Sequence, residues 1–279
     1  AGAAIASGKT LTARAVGVSL KNLNYETGET GLKSGGTASI KRNASGALTV
    51  TINGAEQAFA PSDLTDEEDG YEVDGEDGYY GVYSYTGPIS DLLTAGNGFS
   101  QVLEIQRELN DPNNPGLNES MFAVVGTETT DADLKDLPKA QYSGRSRVNV
   151  VPNSGFESNR ESRYKVRSEV AMTADFGAGE VWGTIGNTTV EDPETGDIDS
   201  VGGTVSMDKS TFDNNGFAGT LTADETFIDE LDVVSLSGNY SGAFYGPDAD
   251  EVAGVMTWDL VAPDRPLNGS GFFTADKVD

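Results

Sequence analysis

From Leu236 to Phe244 every second residue (Leu236, Gly238, Tyr240, Gly242, Phe244) falls on one face of an extended segment, and Ser237, Asn239, Ser241 and Ala243 fall on the other. Gly246-Pro247-Asp248-Ala249-Asp250 reads as a turn, because proline fixes φ and aspartate suits the opening positions. A second strand follows with Val252, Gly254, Met256, Trp258 and Leu260 in phase. Large and small residues alternate along each apolar face, the way a small closed barrel fills its interior. The same alternation predicts strands over 141–151, 163–176, 180–187, 202–208, 216–223, 233–245, 252–260 and 270–275. Eight consecutive strands predict an antiparallel up-and-down β-barrel over residues 139–279. An outer-membrane barrel would turn its apolar face to lipid; the short apolar faces and the lack of aromatic girdles favour a barrel whose apolar face points inward.

Before residue 139 the pattern is less regular. Residues 1–10 read as a flexible tether, and 11–20 and 37–52 as strands, with Ser45-Gly46 at a hairpin turn. Residues 99–107 and 121–125 read as further strands, 111–116 as a loop, and 131–139 as a linker. The expectation is a small open β-sheet domain over 11–138 beside the barrel, so the chain is all-β. Its 35 glycines in 279 residues, against a usual ~7%, agree.

Composition narrows the chemistry. Without Cys or His, thiol and imidazole nucleophiles, a histidine base, Cys/His zinc sites and histidine-ligated haem are excluded. A net charge of -27 opposes binding to nucleic acid or anionic lipid and is compatible with a basic partner or a cation. No apolar run is long enough for a helical membrane span, and the opening AGAAIASGKT has no signal-like organisation, as expected of a cytoplasmic chain or of an exported one already trimmed. No nucleophile elbow, phosphate loop or dinucleotide fingerprint is present.

Two features hold candidate binding residues. Residues 63–77 carry nine carboxylates and no basic residue, and Asp74, Glu76 and Asp77 around Gly75 are hard oxygen donors for calcium, although the EF-hand spacing is missing. The alternative is a solvated loop, and residues 191–199 pose the same choice. Tyr79, Tyr80, Tyr83 and Tyr85 then place aromatic rings on both faces of one strand, so some of them are either exposed or covered by another element. Exposed tyrosine is an effective interface anchor. Haem would need Tyr or Met as its axial ligand, with Met121 the methionine of the first half.

The segment Ser241–Trp258 resembles the G-x-FYGP-x-A-x-E-x-x-G hairpin of the transferrin-binding protein B superfamily, with Phe244, Tyr245, Gly246, Pro247, Glu251 and Gly254 at the signature positions. Residues 174–185 resemble the family's DF-x4-V-x-G-x-I strand pair, residues 216–221 its following strand, and Tyr142-Ser143-Gly144 the start of its barrel. The resemblance covers 139–279 and implies a handle-like first domain. It implies binding rather than catalysis: a monomeric surface lipoprotein or secreted protein of a Gram-negative bacterium that captures a protein partner or an iron-linked or other solute. No cofactor is implied. The lipidated cysteine of the family is missing, so a lipid anchor would belong to a longer precursor, and the acidity suits a saline habitat. A structural or adhesive surface protein stabilised by calcium, and a secreted haem binder, are the alternative readings.

Overall fold

The computed structural model describes residues 10–21, 29–33, 37–43, 47–52, 54–65, 69–75, 78–89, 98–111, 114–152, 163–193, 195–263 and 266–278. Two nine-stranded antiparallel sheets share the chain.

The first sheet contains β1 (Thr10–Lys21), β2 (Glu29–Lys33), β3 (Thr37–Arg42), β4 (Leu48–Ile52), β5 (Ala55–Phe59), β6 (Gly70–Gly75), β7 (Gly78–Ser84), β8 (Ser100–Asp111) and β9 (Asn114–Gly126). Its order is β5-β4-β3-β1-β9-β8-β7-β6, with β2 also paired to β1. Among the described residues the two end strands, β5 and β6, are not paired with each other, so the sheet is open. One face carries a core in which Ile40, Val50, Phe59, Val82, Ile105 and Met121 meet. The expected loop at 111–116 is shorter than its composition suggests: β8 reaches Asp111 and β9 starts at Asn114. Cross-strand pairing of Asn110 with Pro115 and of Asp111 with Asn114 outweighs the local turn preference of these residues, and 112–113 lie outside the described residues.

Residues 127–139 connect the sheets and include the single turn α1 (Asp131–Leu134), where the Thr130 side chain accepts from the Asp133 N–H at 3.3 Å. The second sheet contains β10 (Ala140–Pro152), β11 (Tyr164–Asp175), β12 (Glu180–Glu191), β13 (Ile198–Val201), β14 (Val205–Asp213), β15 (Gly216–Ala223), β16 (Ser235–Tyr245), β17 (Glu251–Val261) and β18 (Pro266–Val278). Eight of these strands run up and down, β18 pairs with β10, and β11–β12 pairing completes the ring, with β13 an outlying addition to β12. The closed eight-stranded barrel is the one the alternation predicts. Two elements of this second half were not foreseen. They are β13 and the helix α2 (Glu225–Glu230), which Asp224 caps by accepting from the Phe227 N–H at 2.8 Å.

Apolar side chains point into the bore. Phe244 is the hub of one end, with ring centroids 5.1, 5.3 and 5.4 Å from those of Phe176, Phe212 and Phe217. Toward the other end Phe227 of α2 packs edge-on against Trp258 at 6.0 Å. That end widens into an apolar recess of about 260 Å³ lined by Val150, Tyr164, Val166, Leu260 and Leu267. The outward positions of β11 are polar, with Arg167 and Glu169 exposed. This is the reverse of the apolar outer band that a lipid-facing barrel needs. No helix among the described residues is long and apolar enough to cross a membrane.

Candidate binding surface

The outer wall of β16–β18 is not solvated along its whole length. Alternation predicts that Ala243, Tyr245, Ala253, Val255 and Phe272, which point away from the bore, should be wet. All are buried, because Val102, Phe122 and Val124 of β8 and β9 pack against them. One face of the first sheet therefore covers its own core and the other lies on the barrel. The rings of Tyr85, Phe122 and Phe272 form a triangle in this seam, with centroids 5.4–5.7 Å apart.

The FYGP hairpin fastens the seam at its end. Gly246 has φ 88°, and a Cβ there would come within 2.4 Å of Asp250 Oδ2 and 2.8 Å of the Phe99 ring, so both its conformation and the space around it call for glycine. The Gly246 N–H donates to Thr127 O at 2.9 Å, the Thr129 N–H donates to Phe244 O at 2.9 Å, and Thr129 Oγ1 donates to Gly246 O at 2.6 Å. Glu251 reaches across with its carboxylate and accepts from the N–H groups of Phe99 and Ser100, both at 2.8 Å, and from Ser100 Oγ at 2.6 Å. Ala249, at φ 51°, accepts at its carbonyl from the buried Tyr142 hydroxyl at 2.8 Å. Burial first, and the charge of Asp250 second, push the Tyr142 phenol above its ordinary pKa.

The four tyrosines singled out in the sequence divide by face. Tyr80 packs half-buried against the core of the first sheet. Tyr79, Tyr83 and Tyr85 alternate with it on the other face. Of these, Tyr85 is committed to the seam: its ring sits in the aromatic triangle and its hydroxyl donates to buried Glu104 at 2.5 Å. Burial and the neighbouring Glu104 carboxylate raise its pKa. Tyr79 and Tyr83 stay partly exposed beyond the seam. The Tyr79 hydroxyl meets that of Tyr83, which in turn donates to exposed Glu72. Burial leads, and the bonds to Glu72 and Tyr79 follow, in raising the Tyr83 phenol above its ordinary range. The pair lies close over Gly81, where a Cβ would come within 2.8 Å of the Tyr79 hydroxyl and of the Tyr83 ring. A bonded aromatic pair with a carboxylate beside it can anchor a protein partner.

Of the calcium candidates, Asp74 is exposed on β6, while Glu76 and Asp77 lie outside the described residues. No group of three or more metal-ligating side chains is present among the described residues. In the second acidic stretch Glu191 binds Lys165 and Arg167 at 2.6 and 2.8 Å. Met121, the methionine considered for haem, is buried in the first core. Sequence reasoning missed Glu104, Phe122 and Phe272. An acidic residue inside an apolar strand, in VLEIQ, was the one available signal for Glu104.

Residues 137–277 match the family described as the C-lobe and N-lobe beta barrels of Tf-binding protein B, Tf being transferrin. Similar solved structures include a double mutant of the vaccine antigen transferrin-binding protein B from Haemophilus parasuis Hp5, at 17% identity over 95% of this chain and 45% of that one, with a TM-score of 0.48. Intact Ap-TbpB with its N and C lobes is 14% identical over 94% and 46%, at a TM-score of 0.47. The isotype 1 protein from serogroup B Neisseria meningitidis is 14% identical over 95% and 43%, at 0.46. The chain spans under half the length of each of these. No curated protein matches the sequence.

Proposed function

Since this chain belongs to the family of transferrin-binding protein B barrels, we propose that it is a non-enzymatic binding protein of the Gram-negative cell surface or its surroundings, which captures a protein partner. The observation that carries this reading is the match of the barrel, residues 137–277, to lobes of proteins named for binding transferrin. The architecture supports it in one further respect. The bore is filled by the chain's own side chains for most of its length, so a macromolecular partner must meet the outer surface.

On that surface, Tyr79 and Tyr83 with Glu72 are the contact we favour. Tyr85 holds the seam and Tyr80 the core, so neither is free to anchor a partner. The net charge of -27 would speed encounter with a basic partner and make the association weaken with salt.

The test is capture from host serum and from environmental extracts on the immobilised chain, followed by surface plasmon resonance with each captured protein, transferrin included. The Tyr79→Ala/Tyr83→Ala double variant is expected to weaken capture about tenfold or more while its melting temperature changes little. Undiminished capture of every partner by that variant would remove the two tyrosines from the contact, and failure to retain any protein specifically would remove the capture role itself.

A further inference from the structure

Where the first sheet overhangs the barrel, a cleft of about 330 Å³ opens between Tyr85 and the outer face of β10–β12, and three arginines, Arg145, Arg147 and Arg167, line it. The chain has only 18 basic residues against 45 acidic ones, so three guanidinium groups around one small space are a marked local reversal of sign. Register sharpens the point. Arg147 lies directly opposite Arg167 across β10–β11. Like charges directly opposite each other destabilise a sheet unless something neutralises them.

The neighbouring carboxylates do so only in part. Glu191 is shared between Lys165 and Arg167. Glu104 lies 3.6 Å from Arg163 and also accepts from Tyr85. Glu169 is held by Asn187 Nδ2 at 2.6 Å. Among the described residues, neither Arg145 nor Arg147 has a carboxylate partner. Arg147 is nevertheless held in place: its guanidinium stacks 4.8 Å from the Tyr85 ring centroid and its Nε donates to Asn149 Oδ1 at 3.3 Å. Arg145 donates to the Tyr85 carbonyl at 3.4 Å. Positioned guanidinium forks with donors to spare suit the paired oxygens of a carboxylate or a phosphate.

We propose that this cleft binds a small dianion, a dicarboxylate or a phosphate, between Arg147 and Arg167, with Arg145 at its rim. Glu169 closes one side of the site and restricts it to ligands short enough to keep their charge at the arginine end. The site is independent of the protein-capture surface and would stand if that reading failed.

Isothermal titration of the full chain with sodium phosphate and with succinate, each against sodium chloride at matched ionic strength, tests it. At least one dianion should bind with a Kd of about 1 mM or tighter and raise the melting temperature above the chloride control. Arg147→Gln and Arg167→Gln should each weaken that binding about tenfold or more, and Lys209→Gln should not, because Lys209 pairs with Glu180 at 2.9 Å and neither residue lines the cleft. Binding of phosphate alone assigns an inorganic ligand, and binding of succinate alone an organic one; either supports the site. Absence of heat and of a melting shift with both dianions in the unaltered chain would overturn it, as would unchanged affinity in both folded arginine variants.

Discussion

Glu191 sits between Lys165 and Arg167, and hydrogen bonds from these two cations, Lys165 foremost, lower its pKa from the usual 4.5 to about 2. A carboxylate held down in the folded state contributes stability that is present above the unfolded value and is lost as pH falls through the folded one. Glu191→Gln should therefore melt below the unaltered chain near neutral pH, and the gap should close between about pH 4.5 and 2. Thermal melts across that window check it, and a gap that stayed constant with pH would show that the pair contributes nothing through charge. The sequence offered residues 191–199 as acidic and loop-like; the acidity was readable, but Glu191 ends β12 and Ile198 and Asp199 open β13, which pairs with it. That Glu191 faces cations 24 and 26 positions earlier depends on the pairing of β11 with β12, which composition does not encode. The tyrosines show the same limit. Alternation separates Tyr80 from Tyr79, Tyr83 and Tyr85, but which of the three is covered depends on where the barrel wall ends.

The hairpin β16–β17 was the most legible part of the chain. Its phase, its turn at Gly246-Pro247 and its apolar inner face are all local consequences of a pleat that repeats every two residues. Glu251 was visible there only as a signature position, because the groups it serves, Phe99 and Ser100, lie 152 and 151 residues earlier. Three charge-assisted hydrogen bonds converge on it, so Glu251→Ala should cost roughly 2–4 kcal/mol in urea unfolding. The same variant should speed hydrogen exchange at the Ser100 amide more than at amides deep in the barrel. Equal protection of Ser100 in both proteins would mean that the hairpin does not hold the first sheet. Helix α2 escaped notice for the opposite reason: it is six residues long, and a segment that short shows too little of the helical period to stand out among strands.

The two sheets meet through a seam rich in aromatic rings, and this coupling should show in how the molecule unfolds. Phe122 is fully buried between Tyr85 and Phe272. Truncating it to alanine removes a large apolar side chain from a packed site, at a cost of ~3–5 kcal/mol. Calorimetry of the unaltered chain is expected to show one cooperative transition, and Phe122→Ala to separate it into two as the sheets lose their shared surface. A single transition at an unchanged temperature in the variant would show that the seam carries little of the stability.

Alternation and turn chemistry were enough to specify an all-β chain and the eight barrel strands, while the inward direction of their apolar faces rested on the shortness of those faces and the lack of aromatic girdles. The strands and their apolar faces follow from the period of the backbone and from the tendency of apolar surface to leave water, both of which act within a few residues. Tertiary structure decided the rest: that the outward face of β16–β18 is dry, that Tyr85 is an anchor of the seam, that Glu251 fastens one sheet to the other, and that Arg147 faces Arg167. These depend on contacts between residues 19 to 187 positions apart, where register and the docking of whole faces, rather than any local preference, choose each side chain's neighbours.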